Sequence, residues 1–212
     1  DHHETANPEN VRFVDIREEY GACATLIYTY FREMNVLPIT PVASALMVGI
    51  NIDTALLTRG TALVDVEAYH HLYPNANVEL VNSILLNNIE LADLKNYHYL
   101  IQNQIIEEDT AFCFLPHGCN QNQLGILADF VLSVKEINFV ALAALNDTII
   151  NISIRSEKDE WDASSIIRRL IEGIGFGGGH RHMAGGVIPD ASRFEADDFH
   201  RRLKELLFTK GG

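Results

Sequence analysis

A glycine-rich run near the carboxyl terminus most restricts what this chain can fold into. Residues 177–186 contain five glycines, two histidines and an arginine. Glycine costs backbone entropy on folding and is kept where φ is positive or where another group must approach the backbone closely. Packing alone does not account for so many glycines, so we expect a concave site whose exposed amides and imidazoles bind a phosphate or carboxylate. A flexible surface loop is the alternative.

Part of this run also satisfies a dinucleotide-binding pattern. Gly173, Gly175 and Gly178 have the spacing G-x-G-x-x-G, but that fingerprint must follow a strand and begin a helix. Here the run follows a predicted helix that has Asp162 as its N-cap and apolar residues at helical spacing up to Ile174. We therefore predict that the run does not bind a nicotinamide cofactor.

Composition limits the partners of the chain. Its 212 residues, 47% of them hydrophobic, are enough for one large domain or two of about a hundred residues each. The net charge of −13 argues against long duplex nucleic acid, so any phosphate binding should be local and assisted by cations. Three cysteines without an apolar leader favour the cytoplasm. No apolar run approaches the roughly twenty residues of a membrane span, so we expect a soluble protein that does not contact membranes.

The first residues concentrate potential metal ligands. The chain begins Asp1, His2, His3, Glu4, without a methionine, and we expect that an N-terminal portion precedes it. Imidazole and carboxylate groups together suit Zn, Mn or Fe, and an aspartate beside a histidine can orient the imidazole. A solvated terminus is an equal alternative.

In the first half of the chain, apolar periodicity predicts mainly helices. We predict a strand or extended segment at residues 11–16, a helix at 21–33 and a helix buried all round from Thr40 to about residue 54. A carboxylate at the end of a buried helix must be paired, hydrogen-bonded or bound to metal, which makes Asp53 a candidate ligand; a turn-forming aspartate is the alternative. Further helices are predicted at 63–72, 78–86 and 91–106, with His70 and His71 at the surface or in an interface.

The second half of the chain predicts a mixed α/β structure. Composition changes near residues 107–109, which we take as the boundary between domains 1–106 and 107–212. Strands are predicted at 110–115, 139–145 and 149–156, with a two-residue turn at Asn146 and Asp147, and helices at 121–134 and 195–207. Strand alternation places Ile154 on the face opposite Arg155, so Arg155 is predicted to point away from the core.

Two cysteines and a histidine in the second half also invite a zinc interpretation. Cys113, His117 and Cys119 lie within seven residues, but no fourth ligand occurs at a recognisable spacing. We favour a core cysteine followed by a loop.

Taken together, these motifs resemble those of the DHH phosphoesterase family. Residues 1–3 resemble the family's name motif, and residues 49–54 resemble its later aspartate-containing motif. Residues 177–180 resemble the signature of the DHH-associated C-terminal domain, and Arg155 with Ser156 matches that domain's Arg-Ser strand end. The four matches follow the family's order and span nearly the whole chain.

The resemblance implies an α/β fold with two domains. The latter half of a parallel-sheet DHH catalytic domain would be followed by a smaller α/β substrate-binding domain, with the active site in the cleft between them. Such proteins are metal-dependent phosphohydrolases with two manganese ions, or sometimes other divalent cations. His2 and Asp53 would bind metal, His3 would contact the scissile phosphate, and Asp1 would orient the pair.

The resemblance also implies a substrate site in the second domain. Arg155, Ser156, the amides of residues 177–179 (Gly177, Gly178 and Gly179) and His180 would hold a phosphate or a base. The expected substrate is a short oligoribonucleotide or a small nucleotide, and a homodimer is possible. The alternatives are an exopolyphosphatase or pyrophosphatase, and a non-catalytic nucleotide- or RNA-binding module. The family's first two motifs, which supply further metal ligands, are absent here, so the chain alone is expected to bind metals weakly and hydrolyse little.

Overall fold

The computed structural model describes residues 1–2, 11–86, 89–116 and 118–208. The chain forms two compact units, residues 1–88 and 89–212. Within the described residues, every helix is too short or too polar to span a bilayer.

The first unit is helical over its described residues. Its helices are α1 (Cys23–Glu33), α2 (Thr40–Asp53), α3 (Leu63–Leu72) and α4 (Val78–Leu86). The predicted helices at 63–72 and 78–86 are confirmed at those bounds. A strand or extended segment was predicted at 11–16; the strand is wrong, since within the described residues this segment pairs with no strand and Phe13 is 83% exposed. Strand propensity takes effect only where a residue finds a neighbouring strand and a surface to pack on.

Helix α2 is buried on one face only. Met47 and Ile50 are fully buried in the core of the unit, whereas Ile52 is 58% exposed and Asp53 lies at the surface. The prediction of a helix buried all round is therefore wrong. A nearly uncharged sequence permits burial but does not provide neighbours for every face.

A buried carboxylate joins the beginnings of α1 and α3. Asp65 is inaccessible to solvent and accepts hydrogen bonds from the amides of Gly21 (2.9 Å) and Ala62 (2.7 Å) and from the Thr25 hydroxyl (2.5 Å). A Cβ added at Gly21 would lie 2.6 Å from both Asp65 Oδ2 and the Gly60 carbonyl oxygen. Asp65 therefore has a structural role, because its charge is satisfied by donors within the unit.

The second unit contains a six-stranded sheet in the order β1-β2-β3-β4-β6-β5. Among the described strands, β2 and β3 run parallel and the other neighbouring strands are antiparallel. The strands are β1 (Ile105–Glu107), β2 (Thr110–Leu115), β3 (Phe139–Asn146), β4 (Ile149–Ser156), β5 (Phe176–Gly179) and β6 (Met183–Ile188). The helices are α5 (Leu94–Asn103), α6 (Gln121–Leu132), α7 (Ala163–Leu170) and α8 (Ala196–Phe208). The predicted α/β class is confirmed.

Two predicted boundaries in this unit are wrong. The single helix predicted at 91–106 is a short 3₁₀ turn followed by α5, and Ile105 and Ile106 instead pair with β2. The two-residue turn between β3 and β4 consists of Asp147 and Thr148, because Asn146 still pairs with Ile149 and it is Asp147 that takes a positive φ of 55°.

Helices cover both faces of the sheet. Ile150, Ile152 and Ile154 face the core formed with α7 and α8, while alternate residues of β3 face the core formed with α6. Arg155 lies on the α6 face and is only 6% exposed. The prediction that Arg155 points away from the core is therefore wrong, because strand alternation separates two faces without revealing that both are covered.

Candidate functional site

Two motifs that are separated in the sequence meet at one corner of the sheet. Ser156 ends β4, and its amide donates a hydrogen bond to the carbonyl of His182 (3.0 Å). The Nδ1 atom of His182 lies 3.0 Å from the Ser156 carbonyl oxygen, and Arg155 pairs with Met183. The end of the Arg-Ser strand and the turn after the glycines are thus neighbours.

The three consecutive glycines form a strand instead of a loop. Strand β5 pairs antiparallel with β6, and mutual backbone hydrogen bonds between His180 and Met183 (2.7 and 3.3 Å) close the hairpin. The expectation of a concave loop with successive exposed amides is therefore wrong, and so is the alternative of a flexible loop.

This pairing still leaves amide groups at the sheet edge. Hydrogen-bonded and non-hydrogen-bonded pairs alternate along an antiparallel ladder, and His180 with Met183 is a hydrogen-bonded pair. The pairs of Gly179 with Ala184 and of Gly177 with Gly186 are consequently non-bonded, so the N–H groups of Gly177 and Gly179 point away from β6. Since β5 is the outermost strand of the described sheet, both groups face its open edge, roughly 7 Å apart.

Packing explains more of the glycines than the sequence suggested. A Cβ at Gly177 would lie 2.9 Å from Ile167 Cγ1, and one at Gly186 would lie 2.9 Å from Ile171 Cδ1. Helix α7 therefore packs directly onto the bare backbone of this hairpin. Gly178 differs, because the nearest atom to an added Cβ is Nη2 of Arg168 at 3.7 Å.

Arg168 is a candidate site residue that the motifs did not identify. It is exposed in the last turn of α7, with its guanidinium beside Gly178. The available signal was the adjacent basic pair Arg168 and Arg169, which precedes the glycine run in an acidic chain. That pattern is weak, because basic residues are common at helix C-termini, where they interact favourably with the helix dipole.

Arg155 is held by partners inside the unit. Its guanidinium contacts Asp129 at 2.6 and 3.3 Å, Ser153 Oγ at 3.0 Å and the carbonyls of Ile154 and Gly125 at 3.1 and 3.4 Å. These bonds use all five N–H donors of an arginine side chain. The geometry shows a structural role, while substrate binding by Arg155 remains a prediction.

The turn beyond β5 carries the polar groups that are most accessible to a ligand. His180 and Arg181 are exposed, and the Arg181 carbonyl accepts from the amide of Ala163 (2.7 Å), which places the start of α7 at this corner. The Ser156 hydroxyl is buried and donates to the Lys158 carbonyl (3.1 Å). Of the predicted substrate-binding side chains, His180 is the most exposed.

The predicted metal ligands lie in the first unit. The amide of His2 donates to Asp1 Oδ1 (2.7 Å), and the His2 side chain is buried. His3 lies outside the described residues. Asp53 is exposed at the end of α2, so water can satisfy its carboxylate and the argument from burial does not hold.

The described residues do not by themselves fit a metal centre. Among them, no three histidine, cysteine, aspartate or glutamate side chains come together as a metal-binding group. The roles of Asp1, His2, His3 and Asp53 remain predictions.

Two cysteines of the second unit, Cys113 and Cys119, are buried in its apolar core. Burial raises the pKa of the Cys113 thiol to about 11; burial, together with the negative charge of Asp93, raises that of Cys119 to about 12. Because metals bind the thiolate, these values favour the interpretation of core cysteines. His117 lies outside the described residues.

Comparison with known proteins agrees with the sequence motifs. Residues 107–207 match the family model of the DHHA1 domain. The uncharacterized protein MJ1633 of Methanocaldococcus jannaschii is 26% identical over 208 residues, covering 98% of this chain and 42% of that protein. An exopolyphosphatase-related protein from Bacteroides fragilis has the same fold, with a TM-score of 0.80 at 17% identity over 99% of this chain and 62% of its own.

These findings confirm the resemblance found in the sequence. Residues 107–207, in the second unit, match the DHHA1 domain, and the chain is similar in fold to the exopolyphosphatase-related structure. The chain spans about two fifths of the length of the Methanocaldococcus relative and about three fifths of the Bacteroides structure.

Proposed function

We propose that this chain is the substrate-holding part of a metal-dependent phosphohydrolase acting on short oligoribonucleotides or small nucleotides. The main support is the DHHA1 match, which covers the unit where the Ser156 strand end, the glycine hairpin and His180 converge. The DHH fold supports phosphoester chemistry at the level of the family. The nature of the substrate is inferred from the groups at this corner.

The donors at the corner suit a phosphate ester. The edge amides of Gly177 and Gly179 are uncharged hydrogen-bond donors. The exposed His180 and Arg181 add donors from their side chains. Hydrogen bonds from backbone amides and cationic side chains to phosphate oxygens are among the stronger polar contacts in proteins. A local set of such donors would let a chain with a net charge of −13 bind an anion.

Manganese is the proposed cofactor, with other divalent cations as alternatives. His2, His3 and Asp53 would contribute to its site, and we propose that ligands beyond the described residues complete it. When bound, two such ions would activate a water molecule and stabilise charge on the attacked phosphate.

A non-catalytic nucleotide- or RNA-binding module is the second candidate. It is favoured by the observation that the Ser156 strand end, the glycine hairpin and His180 come together within the second unit. Nucleotide binding that survives chelation of divalent metals, without turnover in a longer protein, would support this candidate. An exopolyphosphatase or pyrophosphatase would differ in substrate and would be distinguished by phosphate release from inorganic polyphosphate.

The test is release of mononucleotide from a labelled triribonucleotide, with Mn²⁺, by the longer protein to which we propose this chain belongs. We expect His3→Ala and Asp53→Asn each to lower kcat by at least about 100-fold, as loss of a metal or phosphate contact would do. His180→Ala should mainly raise KM. Asp197→Asn, an exposed carboxylate on α8, is the control and should keep the wild-type rate. Full rates in both His3→Ala and Asp53→Asn would contradict the assigned roles.

A further inference from the structure

We propose that the edge of β5 and the last turn of α7 form a second subsite, which binds the next nucleotide of a single-stranded oligoribonucleotide. The subsite consists of Arg168, Arg169, Phe176 and the amide of Gly177. This inference rests on the proposed function, because it assumes that a terminal phosphate ester is held at the His180 end of the same strand. It adds a preference for chains of two or more nucleotides over mononucleotides.

The proposed subsite is an open pocket of about 420 Å³. Arg168, Arg169, Glu172, Phe176 and Gly177 are among the residues that line it. The pocket adjoins the glycine motif directly, since the Arg168 guanidinium lies beside Gly178. A ligand extending along the β5 edge from His180 would therefore reach it without crossing another strand.

The charges of the pocket favour an anion. In the part of the chain that the structure describes, the guanidinium groups of Arg168 and Arg169 form neither ion pairs nor hydrogen bonds. Glu172 is the acidic residue of the pocket and lies beyond ion-pair distance of both. Two positive charges against one negative leave a local excess of positive charge, in contrast to the acidic chain as a whole.

The aromatic ring identifies the kind of anion. Phe176 is 66% exposed at the start of β5 and lines the same pocket as the two arginines. Single-stranded nucleic acids are held by basic side chains along the backbone and by aromatic rings on which bases stack. Inorganic polyphosphate would use the arginines but gain nothing from the ring.

The edge amides connect the two subsites. The N–H group of Gly177 points out of the sheet at the pocket, and that of Gly179 points out next to His180. The two donors lie roughly 7 Å apart along the strand. They can therefore bind polar groups of two successive parts of one extended ligand.

The helix dipole provides a simpler reason for basic residues in the last turn of α7. It explains the two positive charges but not an exposed ring and an outward amide in the same pocket. The two explanations differ in what they predict for ligand length, which makes them separable.

The test is equilibrium binding of a 3′-labelled pentaadenylate to the 212-residue chain in EDTA, followed by fluorescence anisotropy and with AMP as competitor. Arg168→Gln should weaken pentaadenylate binding about 10-fold. The plot of the logarithm of the association constant against the logarithm of salt concentration should become less steep by about 0.7, the value for one lost phosphate contact. Phe176→Ser should weaken it by about 10-fold, and Phe176→Trp should retain it. AMP affinity should stay within about twofold of the wild type in all three variants, because AMP occupies the first subsite only.

Arg201→Gln is the matched control, since Arg201 is an exposed arginine on α8 that pairs with Asp198 and Glu205. Equal pentaadenylate affinity and salt slope in Arg168→Gln and Arg201→Gln would overturn the second subsite. A parallel loss of AMP affinity would also overturn it, because Arg168 would then belong to the first subsite.

Two further outcomes separate the second subsite from the proposed enzyme activity and from a contact between protein chains. No pentaadenylate binding by the wild-type chain would overturn both the subsite and the proposed substrate class, whereas binding as predicted with no hydrolysis by the longer protein would overturn only the proposed enzyme activity. If Phe176→Ser changes the sedimentation coefficient of the chain and not its RNA affinity, the β5 edge is a contact between protein chains and the subsite is wrong.

Discussion

The two units of this chain differ in how they use their polar residues. In the first unit the buried carboxylate of Asp65 joins two helices, while the candidate ligand Asp53 lies on the surface. In the second unit the strand end at Ser156 and the turn at His180 are brought to one corner of the sheet by backbone pairing. Strand pairing thus brings candidate substrate-binding residues together within one unit, whereas no three potential metal ligands come together among the described residues of the first unit.

The units also differ in how well they cover their apolar side chains. Most of the exposed large apolar side chains of the described residues lie in the first unit, including Phe13 (83%) and Leu37 (75%), although Leu91 in the second unit is 89% exposed. In the second unit both faces of the sheet are buried under helices, with Phe139 and Leu142 almost inaccessible. Because buried apolar area is the main source of stability, we expect the second unit to be the more stable of the two.

The largest expected effect is that of Asp65→Ala on the first unit. Removing the carboxylate leaves the buried Thr25 hydroxyl and the partly buried amides of Gly21 and Ala62 without this partner, at a cost of about 3 kcal/mol. Hydrogen exchange with mass spectrometry should show loss of protection in α1 and α3, with β3 and β4 unchanged. Asp53→Ala is the control, and its exposed carboxylate should change stability by less than about 0.5 kcal/mol. Equal loss of protection in α1, α3, β3 and β4 would contradict a local role of Asp65 in the first unit.

A smaller loss is expected for Arg155→Ala in the second unit. The change removes five internal hydrogen bonds and leaves buried acceptors unsatisfied, which should cost about 2–4 kcal/mol. Urea denaturation measures the loss, and Arg168→Ala, which removes an exposed arginine from α7 on the other face of the sheet, should leave the midpoint unchanged. If Arg155→Ala unfolds at the wild-type midpoint but loses AMP affinity, its guanidinium binds substrate and the structural role is wrong.

Two adjacent glycines provide a finer comparison within the hairpin. Gly177→Ala should cost about 1–3 kcal/mol, because its methyl group would meet Ile167 and the Gly185 carbonyl within 3 Å. Gly178→Ala has open space apart from Arg168 and should unfold at the wild-type urea midpoint. Equal midpoints for the two variants would show that α7 does not pack on this backbone as described.

The smallest expected effect is a dependence of stability on pH. Burial lowers the pKa of His200, whose ring stacks on Phe112 at 4.9 Å; Lys204 lowers it further, while Glu107 and Asp197 partly oppose the shift. A histidine whose pKa is lowered on folding stabilises the folded state fully above its ordinary pKa, and this stability is lost as the pH falls below about 6.5. The urea midpoint should therefore fall less between pH 7.5 and 5.5 in His200→Gln than in the wild type. An identical fall in both proteins would contradict the shift.

Local sequence signals predicted the secondary structure well where an element does not depend on contacts with other elements. The helix at 63–72 and the strand at 149–156 have the predicted bounds because apolar periodicity and turn residues mark their ends. Ile105 and Ile106 were assigned to a helix, because only the presence of β2 makes them a strand.

The sequence predicted which residues form the candidate site, but it did not predict how they are arranged. The motifs named Ser156, His180 and the glycines, and backbone pairing brings them to one corner. The sequence could not show that α7 packs on Gly177, that α6 covers the face of Arg155, or that Arg168 lies beside Gly178. These features depend on contacts between elements, which local periodicity does not encode.

The most direct test of the central claim is a nuclear magnetic resonance titration of the ¹⁵N-labelled chain with a 5′-phosphorylated diadenylate. If the corner of the sheet holds a phosphate ester, the amides of Gly177, Gly179, His180 and His182 should shift with one common binding curve, while amides of β1 on the opposite edge stay in place. Unchanged amides in the hairpin at saturating ligand, or shifts confined to another part of the chain, would contradict the assignment of the second unit as the substrate-holding part.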